Sequence, residues 1–203
     1  MSVTKDAETI ILELHKVGGL RFGEFKFKSG IKSPIYTNLR ILISYPKLMK
    51  QVAKVYSQLL EPLQYDRLGG IPYAGLPLAQ AVSLEREEPW VFYRKETKEY
   101  GLGKTVEGEF KKGETVAVLD DLISKGDSKF EAVVPFQAEG LLVKDFVVLM
   151  DYGLGGREAL AKKGYKLHAV FTGSDMVEVL ENERTIDSAL AQKIRNWITA
   201  NKS

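Results

Sequence analysis

The residues of this chain best placed to do chemistry are two adjacent aspartates, Asp120 and Asp121, which follow the apolar run Val116-Ala117-Val118-Leu119. A buried strand of this kind delivers both carboxylates to its carboxyl end, where open α/β sheets bind their ligands. Just beyond, Ser124, Gly126 and Ser128 mark a turn that opens a helix. Successive backbone N–H groups in such a turn, reinforced by the helix N-terminus, make a nest for an anion. Carboxylates accept hydrogen bonds from hydroxyls, and the nest takes a phosphate. Together they suit a ligand with vicinal hydroxyls and a phosphate, that is, a ribose 5-phosphate. The aspartates alone would read as the start of a turn with Ser128 as a helix cap. The added glycine and hydroxyl spacing favours the site.

Composition narrows the chemistry further. The 203 residues include no cysteine, which rules out a thiol nucleophile, a disulfide framework and sulfur-ligated zinc. His15 and His168 are the only histidines, too few for a multi-histidine metal site, so no protein-held metal is expected. A net charge of +2 gives no bulk electrostatic reason to expect nucleic acid as a partner. No apolar run approaches a membrane span, and the N-terminus shows no basic region followed by an apolar stretch. The expectation is therefore a cytoplasmic protein without a membrane partner.

The elements that must position the aspartates follow from periodicity. Apolar residues at helical spacing predict helices over 5–16 and 46–60, with a hairpin-like excursion of alternating aromatic residues over 22–36 between them. Strands are then predicted at 66–71, 90–93, 116–119, 145–150 and 168–171, with helices at 75–83, 128–139, near 157–163, and at 187–199. Near-continuous apolar strands alternating with helices imply an α/β fold with a mostly parallel central sheet flanked by helices. The chain reads as one domain over 1–203. Residues 95–113, rich in Lys, Glu and Gly, show no period and are expected to form a flexible catalytic loop.

The run Val118-Leu119-Asp120-Asp121-Leu122-Ile123-Ser124-Lys125-Gly126-Asp127-Ser128 resembles the phosphoribosyl pyrophosphate signature of type I phosphoribosyltransferases. Nearly the whole chain is similar to orotate phosphoribosyltransferases, and three further stretches carry that likeness. Residues 25–36 resemble the family's hood over the base, formed mainly by residues 1–40. The likeness implies that Lys28 meets orotate or the pyrophosphate region and that Ile35 and Tyr36 pack near the base. Gly69-Gly70-Ile71-Pro72-Tyr73-Ala74-Gly75 resembles the pyrophosphate loop and places Tyr73 and Ala74 there. Tyr93-Arg94-Lys95-Glu96-Thr97-Lys98-Glu99-Tyr100 resembles the element whose Arg94, Lys95 and Lys98 bind pyrophosphate, partly across a homodimer interface.

The implied reaction transfers the 5-phosphoribosyl group from phosphoribosyl pyrophosphate to orotate, giving orotidine 5′-phosphate and pyrophosphate. Lys98, Asp120 and Asp121 are the implied catalytic residues, and residues 124–128 hold the 5′-phosphate. Mg²⁺ arrives on the pyrophosphate. The alternatives are a phosphoribosyltransferase for another base, or a non-catalytic regulator that binds phosphoribosyl pyrophosphate.

Several positions depart from the family pattern. Ser124-Lys125 replaces a threonine pair or Thr-Ala, and Asp127 brings a carboxylate near a phosphate unless it turns outward. Tyr100 stands where many members have histidine, and Ala74 where some have lysine. Tyr152 stands where the family usually has an arginine that meets orotate, and a phenol cannot neutralise a carboxylate as a guanidinium does. Gly101-Leu102-Gly103-Lys104-Thr105 and Gly153-Leu154-Gly155 echo nucleotide motifs, but each lacks a required glycine.

Overall fold

The computed structural model describes residues 3–26, 32–95 and 105–202. The helix α1 (Lys5–Lys16) forms because Ala7, Ile10, Ile11 and Leu14 make one buried stripe. The Thr4 side chain closes its start by accepting from the Ala7 N–H. β1 (Leu20–Lys26) and β2 (Lys32–Thr37) then pair antiparallel as a separate two-stranded sheet. A 3-10 helix (Leu39–Ser44) leads into α2 (Pro46–Leu60), which begins on its proline.

The main sheet holds β3 (Arg67–Gly70), β4 (Trp90–Tyr93), β5 (Val106–Glu107), β6 (Thr115–Ile123), β7 (Leu142–Asp151) and β8 (Lys166–Thr172). Their order is β5-β4-β3-β6-β7-β8. β5 runs antiparallel to β4, and every other pair is parallel. The intervening helices are α3 (Gly75–Arg86), α4 (Asp127–Ala138), α5 (Gly156–Lys162), α6 (Gly173–Asn182) and α7 (Ser188–Asn201).

The middle stretches of the central strands, 116–119 and 146–150, are continuously apolar because both faces are covered. Ala117, Leu119, Val147 and Leu149 face the layer of α1, α2, α3, α6 and α7. Their neighbours Val116, Val118, Phe146 and Val148 face α4 and α5. Each valine, leucine or phenylalanine side chain so removed from water contributes about 1.5–3 kcal/mol, so the two cores fix the register of β6 and β7.

That register creates the opening in which a ligand can bind. β3 pairs with β6 only as far as Gly70 opposite Leu119. β6 continues with β7 alone, through Leu122 opposite Met150 and Ile123 opposite Asp151. The chain leaves β3 towards β4 on one side, while β6 leads towards β7 on the other. The edge between β3 and β6 is therefore the switch point of the sheet, where crevices form.

Some sequence expectations need correction. β6 does not stop at residue 119, so Asp120 and Asp121 lie inside the strand, held there by pairing with β7. The stretch 95–113 is not structureless throughout, because Val106 and Glu107 pair with Tyr93 and Phe92. The 3-10 helix, β5 and α6 carried no signal strong enough to be predicted. α1 packs on α2 and α6 and also meets β1 of the separate two-stranded sheet. No described helix is long and apolar enough to cross a membrane.

Candidate active site

A cleft of about 320 Å³ opens at the switch point, bordered by Arg40, the loop 71–74, Lys95, Asp120, Asp121, Leu122 and Ser128. It brings Tyr73, Ala74, Lys95, both aspartates and Ser128 into one place. The Lys95 ammonium lies 4.9 Å from the centre of the exposed Tyr73 ring, within range of a cation–π contact.

The turn after β6 supplies the anion nest. Gly126 takes φ 101° and ψ −2°, a left-handed conformation that glycine adopts at little cost, and α4 starts at the next residue. The backbone N–H groups of Lys125, Gly126, Asp127 and Ser128 make no hydrogen bond among the described residues. Ser124, Lys125, Asp127 and Ser128 are exposed, and Asp127 sits in the first turn of α4, where a carboxylate complements the helix dipole.

The two aspartates differ in their surroundings. Asp120 is 7% exposed, and its Oδ2 receives a 2.6 Å hydrogen bond from the Lys129 ammonium. Its main-chain carbonyl accepts the Tyr56 hydroxyl at 2.8 Å. Asp121 is partly buried and, among the described residues, accepts only from the N–H of Leu122, at 2.8 Å. Burial first, and then the neighbouring Asp120 charge, push the Asp121 carboxyl up to about 6; Lys129, the Leu122 N–H and Arg40 oppose the rise. Burial also holds the Tyr56 hydroxyl well above its usual range, and with the Asp120 charge pushes Tyr93 up to about 12.

Other predicted residues stand elsewhere. Ile35 is fully buried in the core, because neighbours on a strand face opposite ways; only Tyr36 presents itself outward. The Arg94 guanidinium pairs with Glu107 at 3.0 Å. Tyr152 is 6% exposed, and its hydroxyl lies 2.5 Å from Thr37 Oγ1 on β2. Its ring meets Trp197 of α7 edge-on, and Trp197 donates to the Lys32 carbonyl at 2.7 Å. Tyr152 is thus a strut between the sheet and the hairpin, with its hydroxyl pushed up to about 12 by burial. Lys28, Lys98 and Tyr100 lie outside the described residues.

Sequence reasoning missed Lys129, Tyr56 and Arg40. Lys129 had a usable signal. It begins the stripe Lys129, Ala132, Val133, Phe136, the i, i+3, i+4, i+7 positions that face the sheet, where a lysine needs a reason. A cleft that joins an aspartate pair to four unbonded amides can hold the hydroxyls and phosphate of a phosphorylated ribose and favour positive charge on its ring.

No family model matches the chain. Uridine 5′-monophosphate synthase of Bos taurus is 37% identical over 195 residues, which are 95% of this chain and 41% of that protein. Orotate phosphoribosyltransferase of Listeria monocytogenes is 32% identical over 200 residues, 97% of this chain and 96% of that protein. Among solved structures, Leishmania donovani UMP synthase superposes with a TM-score of 0.88 at 36% identity, over 96% of this chain and 42% of that chain. The chain spans about two fifths of the length of the bovine and Leishmania relatives.

Proposed function

The chain belongs to the orotate phosphoribosyltransferase family, and on that premise we propose that it transfers the 5-phosphoribosyl group of phosphoribosyl pyrophosphate to orotate, giving orotidine 5′-phosphate and pyrophosphate. The observation that carries this reading is the aspartate pair beside four unbonded turn amides at the sheet's switch point.

The amides of residues 125–128 hold the 5′-phosphate, and Asp120 and Asp121 accept from the ribose hydroxyls. Their negative charge stabilises the oxocarbenium-like centre that forms as the bond from the anomeric carbon to pyrophosphate breaks. The orotate nitrogen then closes the new bond. No protein nucleophile is needed, so the chain's tasks are positioning and electrostatics. Lys95 and the loop at Tyr73 and Ala74 face the departing pyrophosphate. By the family likeness Lys98 is the catalytic cation for the same group and Tyr100 a further substrate contact, while Arg94, held by Glu107, reaches the pyrophosphate only on leaving that pair. Lys28 and Tyr36 meet the base from the hood. Magnesium travels on the pyrophosphate oxygens as part of the substrate, keeping most of its waters.

The working unit is a homodimer in the cytoplasm, with site residues shared between subunits. An apolar groove of about 570 Å³ supports the dimer: Leu42, Met49, Pro77 and the exposed Ile43 and Leu84 line it, along the 3-10 helix, α2 and α3. Contiguous exposed apolar surface of this kind marks interaction sites.

The test follows orotate absorbance with purified protein, phosphoribosyl pyrophosphate and magnesium, omitting each in turn. Loss of orotate that requires all components, with release of pyrophosphate, supports the reading. A second reading, transfer to another base, is favoured by the Tyr152 hydroxyl already engaged with Thr37. Phosphoribosyl pyrophosphate binding without loss of orotate would select it.

A further inference from the structure

Lysine is among the side chains least often withdrawn from water, yet Lys129 is 1% exposed. Among the described residues it is the one buried cation. Its ammonium sits beneath the phosphate-binding turn, 2.6 Å from Asp120 Oδ2 and 2.5 Å from the Leu122 carbonyl oxygen. Its stem occupies the first position of the apolar stripe on α4. Stability does not explain this choice, because replacing a buried ion pair with well-packed apolar side chains is commonly neutral or stabilising. The pair stands within the candidate active site, and its carboxylate partner borders the cleft.

We propose that Lys129 is a positioning residue of the transfer reaction, an inference that rests on the functional reading above. By tying Asp120 to the Leu122 carbonyl it fixes one carboxylate and cancels one of two adjacent charges, so that Asp121 can carry the other beside the ribosyl centre. Two carboxylates side by side in a partly dry site oppose each other's ionisation. Lys129 works against that opposition, since its charge pulls the Asp121 carboxyl down while burial and Asp120 push it up.

The other groups facing the pair do not substitute for it. Tyr56 from α2, Tyr93 from β4 and Tyr152 after β7 are all held above the usual phenol range and stay neutral at working pH. Arg40 and Lys95 lie exposed at the rim, where water screens them.

The experiment compares wild type, Lys129→Met and Lys129→Cys. The chain has no other cysteine, so 2-bromoethylamine applied to the unfolded Lys129→Cys protein, followed by refolding, rebuilds an ammonium at this one position. Expected for Lys129→Met is a fall in kcat on the order of tenfold or more with the orotate KM within about twofold. The acid limb of kcat/KM for phosphoribosyl pyrophosphate should also move up by about one pH unit. Alkylated Lys129→Cys should recover both, and the unalkylated protein neither. If Lys129→Met does not fold, the two forms of Lys129→Cys decide the question by the same readouts. An unmoved acid limb, or a loss of activity that only follows the loss of folded protein, overturns the proposal. A wild type that neither consumes orotate nor binds phosphoribosyl pyrophosphate overturns the functional reading and this inference together. An active wild type beside an unshifted variant overturns this inference alone.

Discussion

The turns after β6 and β7 end on the same backbone conformation but differ in what their amides do. Gly126 and Gly155 precede their helices with φ/ψ of 101°/−2° and 100°/−5°. Each strand carries an aspartate paired with a cation from the following helix, Asp120 with Lys129 at 2.6 Å and Asp151 with Arg157 at 3.0 Å. After β6 the amides of residues 125–128 have no partner among the described residues, and the cation is buried. After β7 the Gly153 N–H is taken by the Asp151 carboxylate, the Gly156 N–H by the Ser124 carbonyl, and the cation is exposed. Shape alone therefore does not make an anion site. What matters is whether the amides are already occupied, and here the second turn gives up its own amide to brace the first.

The largest expected effect comes from making one substitution at both turns. Asp120→Asn leaves a buried ammonium without its charge partner and should lower stability by about 3–5 kcal/mol. Asp151→Asn keeps an oxygen for the Gly153 N–H and releases only Arg157, which is exposed and still holds the Leu167 carbonyl, so it should cost less, about 1–2 kcal/mol. Urea unfolding of the two variants measures the contrast, and equal losses would end the distinction between them.

Asp121→Asn separates chemistry from stability. Turnover should fall on the order of 100-fold. Its folded carboxyl is raised above the ordinary aspartate value, so the wild type loses stability as pH rises from about 4 through about 6 and stays lower above that window. Asparagine removes this penalty. Thermal melts should show the variant more stable at pH 8, on the order of 1–3 kcal/mol, with the gap closing towards pH 4.

Gly156→Ala tests the brace. An added Cβ would stand 2.6 Å from the Ser124 carbonyl oxygen and 2.7 Å from Ile123 Cγ1. Overpacking of that kind costs about 1–3 kcal/mol. The displacement should weaken phosphoribosyl pyrophosphate binding, read by calorimetry, although the residue lies on the other turn. Tyr152→Phe is the mildest change. It removes the contact with Thr37 at a cost of about 1 kcal/mol and should lower the melting temperature by about 2–4 °C, leaving phosphoribosyl pyrophosphate affinity unchanged.

Much of this was legible in the residues. The helices over 5–16 and 46–60 and the strand over 90–93 agree with the observed bounds, because their stripes, proline and neighbouring turns act locally. The aspartates and the turn beside them were legible for the same reason. The length of β6 was not, because pairing with β7 carries it past two charged residues that local propensity would place outside a strand. Tyr152 was read as a ligand contact, and its partner Thr37 lies 115 positions away, beyond the reach of any pattern. Lys129 was hidden in plain view: its place in the apolar stripe was readable, but the carboxylate that explains it is visible only in three dimensions.

The Tyr56 hydroxyl ties the main chain of Asp120 to α2, whose preceding turn places Ala53 in the wall of the apolar groove. One helix therefore touches both the aspartate-bearing strand and the groove. Coupling between two binding events is reciprocal: whatever docks in the groove and shifts α2 changes affinity in the cleft, and cleft occupancy changes docking by the same factor. In the proposed homodimer, the self-association constant would then be a remote gauge of whether the cleft is filled.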